Sequence, residues 1–420
     1  MKRNLAKLGR GFVVLAGIGM LFSSMDVQAD TSVPGTVGHC EVTGCGSNTP
    51  VLFGTPIIGL NLRGTMNRKG VVLDPILQRV RPLPLPWPVA DCPSGAVLGV
   101  QEGRLVGKTA DGRIACDGYA MLGMTFGIEV GVGTQSTVNR VKVTVRISES
   151  SQVSTWESPS ATVIPTYRLV WHDVSAAVRV LGATVTEGDS ICPKREAWME
   201  PWQMIVSPNV PIATRKGWKE ATDHLLVVQG ETYKDDGSVD SAGKEWFNFA
   251  CVGSSIAKMR LLGFDPIRSM TDAARAERQA TLKMLTGRYL AGESNPSYTS
   301  AGMPLLWKHH SGRRFEGEPH PDRLRTDVIE AYWGANGAVC VKHRRTWRRK
   351  ALLGVADDAE AINVAMPEAT DAARRALGAR YLPAESRSLS AVRATSTPCP
   401  PPEGSYHWTT YPVDHVSDTP

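Results

Sequence analysis

Hydrophobic and polar positions alternate most cleanly from Val141 to Ile147, where Val141, Val143, Val145 and Ile147 are separated by Lys142, Thr144 and Arg146. A period of two sends successive side chains to opposite faces, so this stretch predicts a half-buried strand. Tyr167, Leu169 and Trp171 repeat the pattern. The runs His224 to Val228 and Trp246 to Phe249 read as two more strands. The period then lengthens. Ile256, Met259, Leu261 and Leu262 fall on a helical run that Ser254 or Ser255 can cap and Gly263 ends. A second helix, capped by Thr271 or Asp272, runs through Ala276, Ala280, Met284 and Leu285 to Gly287. Val328 to Trp333 and Ala338 to Val341 flank Asn336-Gly337, a favoured turn pair, and predict a hairpin.

The rest of the chain is patterned differently. From Val51 to Leu73 short apolar pairs alternate with Gly54, Gly59, Gly64 and Gly70. Short strands joined by tight turns fit that rhythm. It returns at Gly103 to Gly107 and Gly118 to Gly123, as in a small β-coil or meander. Pro82, Pro84, Pro86 and Pro88 exclude helix and central strand between these stretches and leave an extended connector. Beyond Lys350 the chain is Ala-rich and charged, with one helix expected near 367–377. From Thr395 it is rich in Pro, Ser and Thr, and disorder is expected. The fold class is therefore α+β and β-rich. A Gly-rich short-strand N-terminal region over 30–135 precedes an α+β domain, a sheet with two helices, over 136–350. An Ala-rich, charged segment and a Pro-rich disordered tail occupy 351–420.

Residues 1–29 read as a cleavable export signal. Lys2, Arg3, Lys7 and Arg10 precede an apolar run from Gly11 to Phe22, and Val27-Gln28-Ala29 suits cleavage after Ala29. The apolar run is shorter than the ~20 residues a transmembrane anchor needs. The first cysteine, Cys40, follows Val37-Gly38-His39, a poor lipoprotein site. A periplasmic or secreted protein, with no transmembrane anchor after signal cleavage, is the expectation.

Composition then narrows the picture. Hydrophobic content of 42% and charged content of 21% suit a globular protein. The formal charge is +6, of which the signal carries half, so basicity alone does not point to nucleic acid. Eight cysteines, Cys40, Cys45, Cys92, Cys116, Cys192, Cys251, Cys340 and Cys399, all follow the signal. An even count in an exported chain favours disulfides, and without C-x-x-C spacing a zinc ribbon or redox motif is not indicated. The local pairings expected are Cys40–Cys45, Cys92–Cys116 and Cys192–Cys251.

The order of short motifs is familiar. Cys45 to Val51 reads C-G-S-N-T-P-V, and Cys192 follows a strand. Phe247-Asn248-Phe249-Ala250-Cys251 runs into Ala257-Lys258-Met259 and Gly263-Phe264-Asp265-Pro266. The helix Arg278 to Thr286, Gly302-Met303-Pro304-Leu305, Ile329 to Trp333 and Gly337-Ala338-Val339-Cys340 complete the series. Over roughly residues 40–345 the chain resembles the ADYC-domain proteins, an exported, uncharacterised bacterial family. The segment that names the family is degenerate here, Gly287-Arg288-Tyr289-Leu290, with only Tyr289 kept. If the missing cysteine forms a disulfide in the family, Cys340 and Cys399 are the candidates for a substitute bridge. The resemblance implies no catalytic residue.

Candidate chemistry is sparse. Ser255-Ile256-Ala257-Lys258 is an S-x-x-K at a helix start, the nucleophile and lysine pair of penicillin-binding enzymes, but no K-T-G follows. A capping serine and a solvated lysine are the plainer reading. His309, His310, His320, Glu316, Glu318 and Asp322 offer imidazole and carboxylate, yet their spacing matches no known metal site and reads as an exposed loop. His172-Asp173 and Asp223-His224 are adjacent pairs, whose side chains point to opposite faces of a strand. No metal, nucleotide or other cofactor is expected. Lys342 to Lys350 is the strongest charge feature, with Arg344, Arg345, Arg348 and Arg349 around Trp347. Arg forks suit phosphate and carboxylate, so these five residues are the expected binding set. The partner expected is an anionic envelope component or another exported protein. The function expected is a non-enzymatic envelope or secreted binding or structural module, with a hydrolase of an envelope polymer as the alternative.

Overall fold

The computed structural model describes residues 46–47, 49, 51–80, 92–132, 139–158, 162–172, 178–180, 183–192, 223–289, 304–315, 329–341 and 403–411. In chain order the strands are β1 (Gly46–Ser47), β2 (Leu60–Asn61), β3 (Val71–Arg79), β4 (Val97–Gln101), β5 (Arg104–Lys108), β6 (Ile114–Asp117), β7 (Met124–Val132), β8 (Asn139–Ser154), β9 (Glu157–Ser158), β10 (Val163–His172), β11 (Val178–Val180), β12 (Ala183–Val185), β13 (His224–Tyr233) and β14 (Val239–Cys251). Helices α1 (Ser255–Leu261) and α2 (Asp272–Thr286) follow, then β15 (Pro304–His309), β16 (Arg314–Phe315), β17 (Ala331–Gly334), β18 (Gly337–Val341) and β19 (Trp408–Tyr411). The β-rich α+β class with two helices is what the described residues show.

Ten strands form one antiparallel sheet in the order β2-β14-β13-β10-β8-β7-β3-β4-β5-β6. Strands from the expected N-terminal region and from the expected α+β domain thus share one sheet. The sheet bends at β3, whose register shifts between Asp74 and Gln78 around Pro75. The β4–β5 hairpin returns over its middle: Gln229 Nε2 of β13 donates to Val100 O at 3.2 Å, and Tyr167 Oη of β10 accepts from Leu105 N at 3.0 Å. A core of Leu73, Leu105, Phe126, Val145, Trp171, Phe247 and Phe249 fills the curl. Disulfides Cys92–Cys116 and Cys192–Cys251 border it.

The second core explains the uninterrupted apolar runs. Leu225 and Val227 of β13 face the first core, while Leu226 and Val228 face another, shared with α1, α2 and a second sheet. A strand buried on both faces loses its alternation. The second sheet has the order β1-β15-β19-β17-β18. Its central strand, β19, comes from the stretch expected to be disordered. That expectation is corrected for residues 408–411: Trp408 and Thr410 are fully buried, and Trp-Thr-Thr-Tyr is a strand-forming run whose partners lie far away in sequence. The helix from 367–377 and the connector at 82–88 lie outside the described residues.

Local signals place the helices. Ser254 Oγ accepts from Ala257 N at 3.4 Å to cap α1, and Thr271 Oγ1 accepts from Ala274 N at 3.3 Å to cap α2. Gly287, in the left-handed conformation at φ 59°, closes α2. The β17–β18 hairpin turns one residue earlier than Asn336-Gly337 suggests. Gly334 pairs with Gly337, so Ala335-Asn336 is the loop. Gly337 opens β18 because a Cβ there would lie 2.5 Å from Tyr289 O.

Candidate functional site

Helix α2 is fastened to β13–β14 by buried charge. Glu231, fully buried, receives Arg278 Nε at 3.1 Å and Arg278 Nη2 on its other oxygen, with Tyr233 Oη at 3.0 Å and Arg275 Nε at 3.4 Å. Lys283 Nζ donates to Asp236 Oδ2 at 2.9 Å and Asp236 O at 2.7 Å. Burial works to raise the Asp236 carboxyl, but its bonds from Ser238 and Lys283 win and hold it at about 2. Burial, together with the charge and hydrogen bond of Glu231, pushes the Tyr233 phenol well above its ordinary value. These charges satisfy one another, and fully paired buried charge of this kind fixes geometry.

A cleft opens beside this frame, where residues 58–69 cross the end of the β13–β14 hairpin. It has a volume of about 210 Å³ and is lined by Ile58, Met66, Asn67, Arg68, Lys69, Thr232, Asp240 and Trp246, among others. Asn67 shapes one wall. Its Nδ2 donates to Gly59 O at 3.1 Å and Ile58 O at 2.5 Å, and its Oδ1 accepts from Lys69 N and Val71 N at 2.8 and 2.9 Å. Arg68 Nη2 and Lys69 Nζ share Asp235 at 3.1 and 3.2 Å, and Arg68 Nε lies 3.9 Å from Asp240. Met66 is half exposed. Apolar surface from Met66 and Trp246 thus sits beside balanced donors and acceptors.

The matching family model is the ADYC domain, over residues 119–347. The chain belongs to the ADYC-domain family. No curated protein and no solved structure matches it. The ADYC match starts in the short 3-10 turn Gly118–Met121 and takes in β7 to β18 with both helices. One wall of the cleft, Thr232 to Trp246, lies inside the match, and the other, Ile58 to Lys69, precedes it. The retained Tyr289 of the degenerate naming segment is buried. Its Oη donates to Glu330 Oε1 at 2.7 Å, its ring lies 4.9 Å from Trp333, and its carbonyl accepts from Ala338 N at 2.9 Å. It joins the end of α2 to the second sheet.

Residues singled out from sequence fall in separate places. Ser255 is fully buried, and its Oγ donates to Thr49 O at 2.9 Å. Lys258 is buried as well. The expectation of a capping serine and a solvated lysine is corrected: Ser254 caps, and both members of the S-x-x-K pair are sealed from solvent. His309 is buried among aromatics and not in an exposed loop, whereas His310 is exposed. His320, Glu316, Glu318 and Asp322 lie outside the described residues, among which no metal-holding group of His, Cys, Asp and Glu occurs. Arg344, Arg345, Trp347, Arg348 and Arg349 also lie outside; the run starts at Lys342, directly after β18. Cys340 is disulfide-bonded and its partner is not among the described residues, which leave out Cys40, Cys45 and Cys399. Among the described residues no helix is long and apolar enough to cross a membrane, and the disulfides are compatible with an extracellular or periplasmic protein. Sequence reading missed the cleft. Its only local signal was Met66-Asn67-Arg68-Lys69, a mixed run between Gly64 and Gly70.

Proposed function

We propose that this protein is an exported binding module of the bacterial envelope, released by cleavage after Ala29, that grips one saccharide unit of an anionic glycan. The cleft carries the reading. At about 210 Å³ it falls below the roughly 300–1,000 Å³ of sites that enclose a free ligand, so it takes a single ring-sized group of something larger. A sugar ring offers an apolar C–H face to Trp246 and Met66 and hydroxyls to Asp240, Arg68 and Lys69. Cations and carboxylates balance in the cleft, which favours a neutral polyhydroxylated ring there. The glycan's anionic groups fall to Arg344, Arg345, Arg348 and Arg349, beside Trp347.

The test is capture. The mature protein is incubated with purified envelope glycan, and binding is compared between wild type, Met66→Asp, Arg68→Ala and a variant with the four arginines changed to Ala. Each cleft change is expected to weaken binding by about tenfold, the effect of losing roughly 1.4 kcal/mol. The arginine variant is expected to flatten the salt dependence. Binding that ignores Met66→Asp and Arg68→Ala in a folded protein overturns the cleft reading.

A further inference from the structure

A second constellation stands apart from the cleft, where the end of β15 meets α2. His309 closes β15, and its ring is buried 4.6 Å from Trp408 and 5.5 Å from Phe264. Its Nδ1 lies 2.7 Å from Oγ of Ser311, which is exposed in the turn before β16. Its Nε2 lies 3.0 Å from Glu277 Oε1 on α2, close but outside hydrogen-bond geometry. The tautomer follows from the backbone. Ser311 N points at the same Nδ1 at 3.4 Å, and an N–H can only donate, so Nδ1 accepts and the ring proton belongs on Nε2, which makes no hydrogen bond to a described residue. Burial works to raise the Glu277 carboxyl, but His309, Arg313 and His407 outweigh it and keep the group ionised.

We infer that Ser311, His309 and Glu277 form a nucleophile, base and positioning carboxylate for hydrolysis of carboxylic esters. The roles match those of a serine hydrolase triad, with the two imidazole nitrogens exchanged. Ser311 Oγ bonds to the acyl carbon as the ester C–O bond breaks. The Oγ proton passes to His309 Nδ1 and on to the departing alkoxide, giving the alcohol. Water then attacks the acyl-serine, loses a proton to the same Nδ1, and releases the carboxylic acid as Oγ regains its proton. Gly312, at φ 78°, has nothing within 4 Å of where a Cβ would sit, which leaves room beside the hydroxyl. His310 is exposed and its ring lies 4.7 Å from the half-buried Tyr406 ring next to the turn, which gives a substrate an aromatic surface. An ester is the class chosen because an alkoxide leaves with less assistance than an amine.

The test treats the full exported chain with a fluorophosphonate probe and maps the label by peptide mass spectrometry, beside p-nitrophenyl acetate turnover. Label on Ser311, absent in Ser311→Ala, and turnover reduced at least ~100-fold in that variant are expected. Ser311 is exposed, so its removal leaves the fold intact, which circular dichroism checks. Glu277→Gln separates positioning from mere support: kcat falls with KM unchanged, and Glu277→Asp recovers part of it. A folded wild type unlabelled at Ser311, or Ser311→Ala with unchanged turnover, overturns the inference and leaves Ser311 as a turn cap. Neither result touches Met66 or Arg68, so the cleft reading is tested separately.

Discussion

At the residue scale, buried charge carries much of the structure. Arg260 of α1 is fully buried and reaches the β4–β5 turn, donating to Gly103 O at 3.3 Å and Glu102 O at 3.4 Å, with Asp265 3.5 Å from its Nε. Gly103 has φ 72°, and a Cβ there would lie 2.1 Å from the guanidinium. Gly103→Ala would therefore strain the turn and strip a buried cation of its acceptors. A loss of about 2–4 kcal/mol is expected, from the left-handed penalty and a charged hydrogen bond. Urea unfolding measures it, and a loss under about 0.5 kcal/mol, the range of an ordinary surface change, contradicts the contact. None of this was legible in sequence. Pattern reading sends Lys258, Arg260, Arg278 and Lys283 to solvent, because a charge finds its buried partner only in three dimensions. Tyr289 was legible as a retained residue, but its link to Glu330 and Trp333 was not.

At the element scale the sequence was far more informative. The alternation over Val141 to Ile147, the continuous runs of β13 and β14, the caps Ser254 and Thr271 and the closing Gly287 all act within a few residues. Local pattern suffices for them. β19 escaped because its partners, β15 and β17, lie about 70 residues or more away, and four residues between polar tracts give no period. The hold of α2 on the β13–β14 turn has a pH signature. The Asp236 carboxyl is lowered from 3.8 to about 2 in the folded chain. Its contribution is therefore complete above the unfolded value and disappears as pH falls through the folded one. Asp236→Asn is expected to lose stability at neutral pH and to show a shallower decline between pH 3.8 and about 2. Urea midpoints against pH check this, and equal acid limbs in the two proteins would refute it.

At the scale of the whole molecule, two cores share β13 and β14, and disulfides tie distant parts of the first. Cys92–Cys116 and Cys192–Cys251 close loops of 24 and 59 residues. By chain entropy their reduction costs about 3 and 4 kcal/mol. Thermal unfolding with and without reductant should show a large drop, and an unchanged midpoint would remove the argument for an oxidising compartment. The cysteine count was readable from sequence, but the sheet's return over itself was not, since Gln229–Val100 and Tyr167–Leu105 join strands far apart in the chain. The cleft depends on the same long-range assembly, with one wall before the ADYC match and one within it. The most direct test of its role is a photo-crosslinking residue placed at Met66 in the full chain, irradiated in the presence of envelope glycan, with a second at exposed Ile76 as control. The account predicts a glycan adduct at Met66 and none at Ile76. Equal adducts at both positions, or a folded protein with none at Met66, would contradict it.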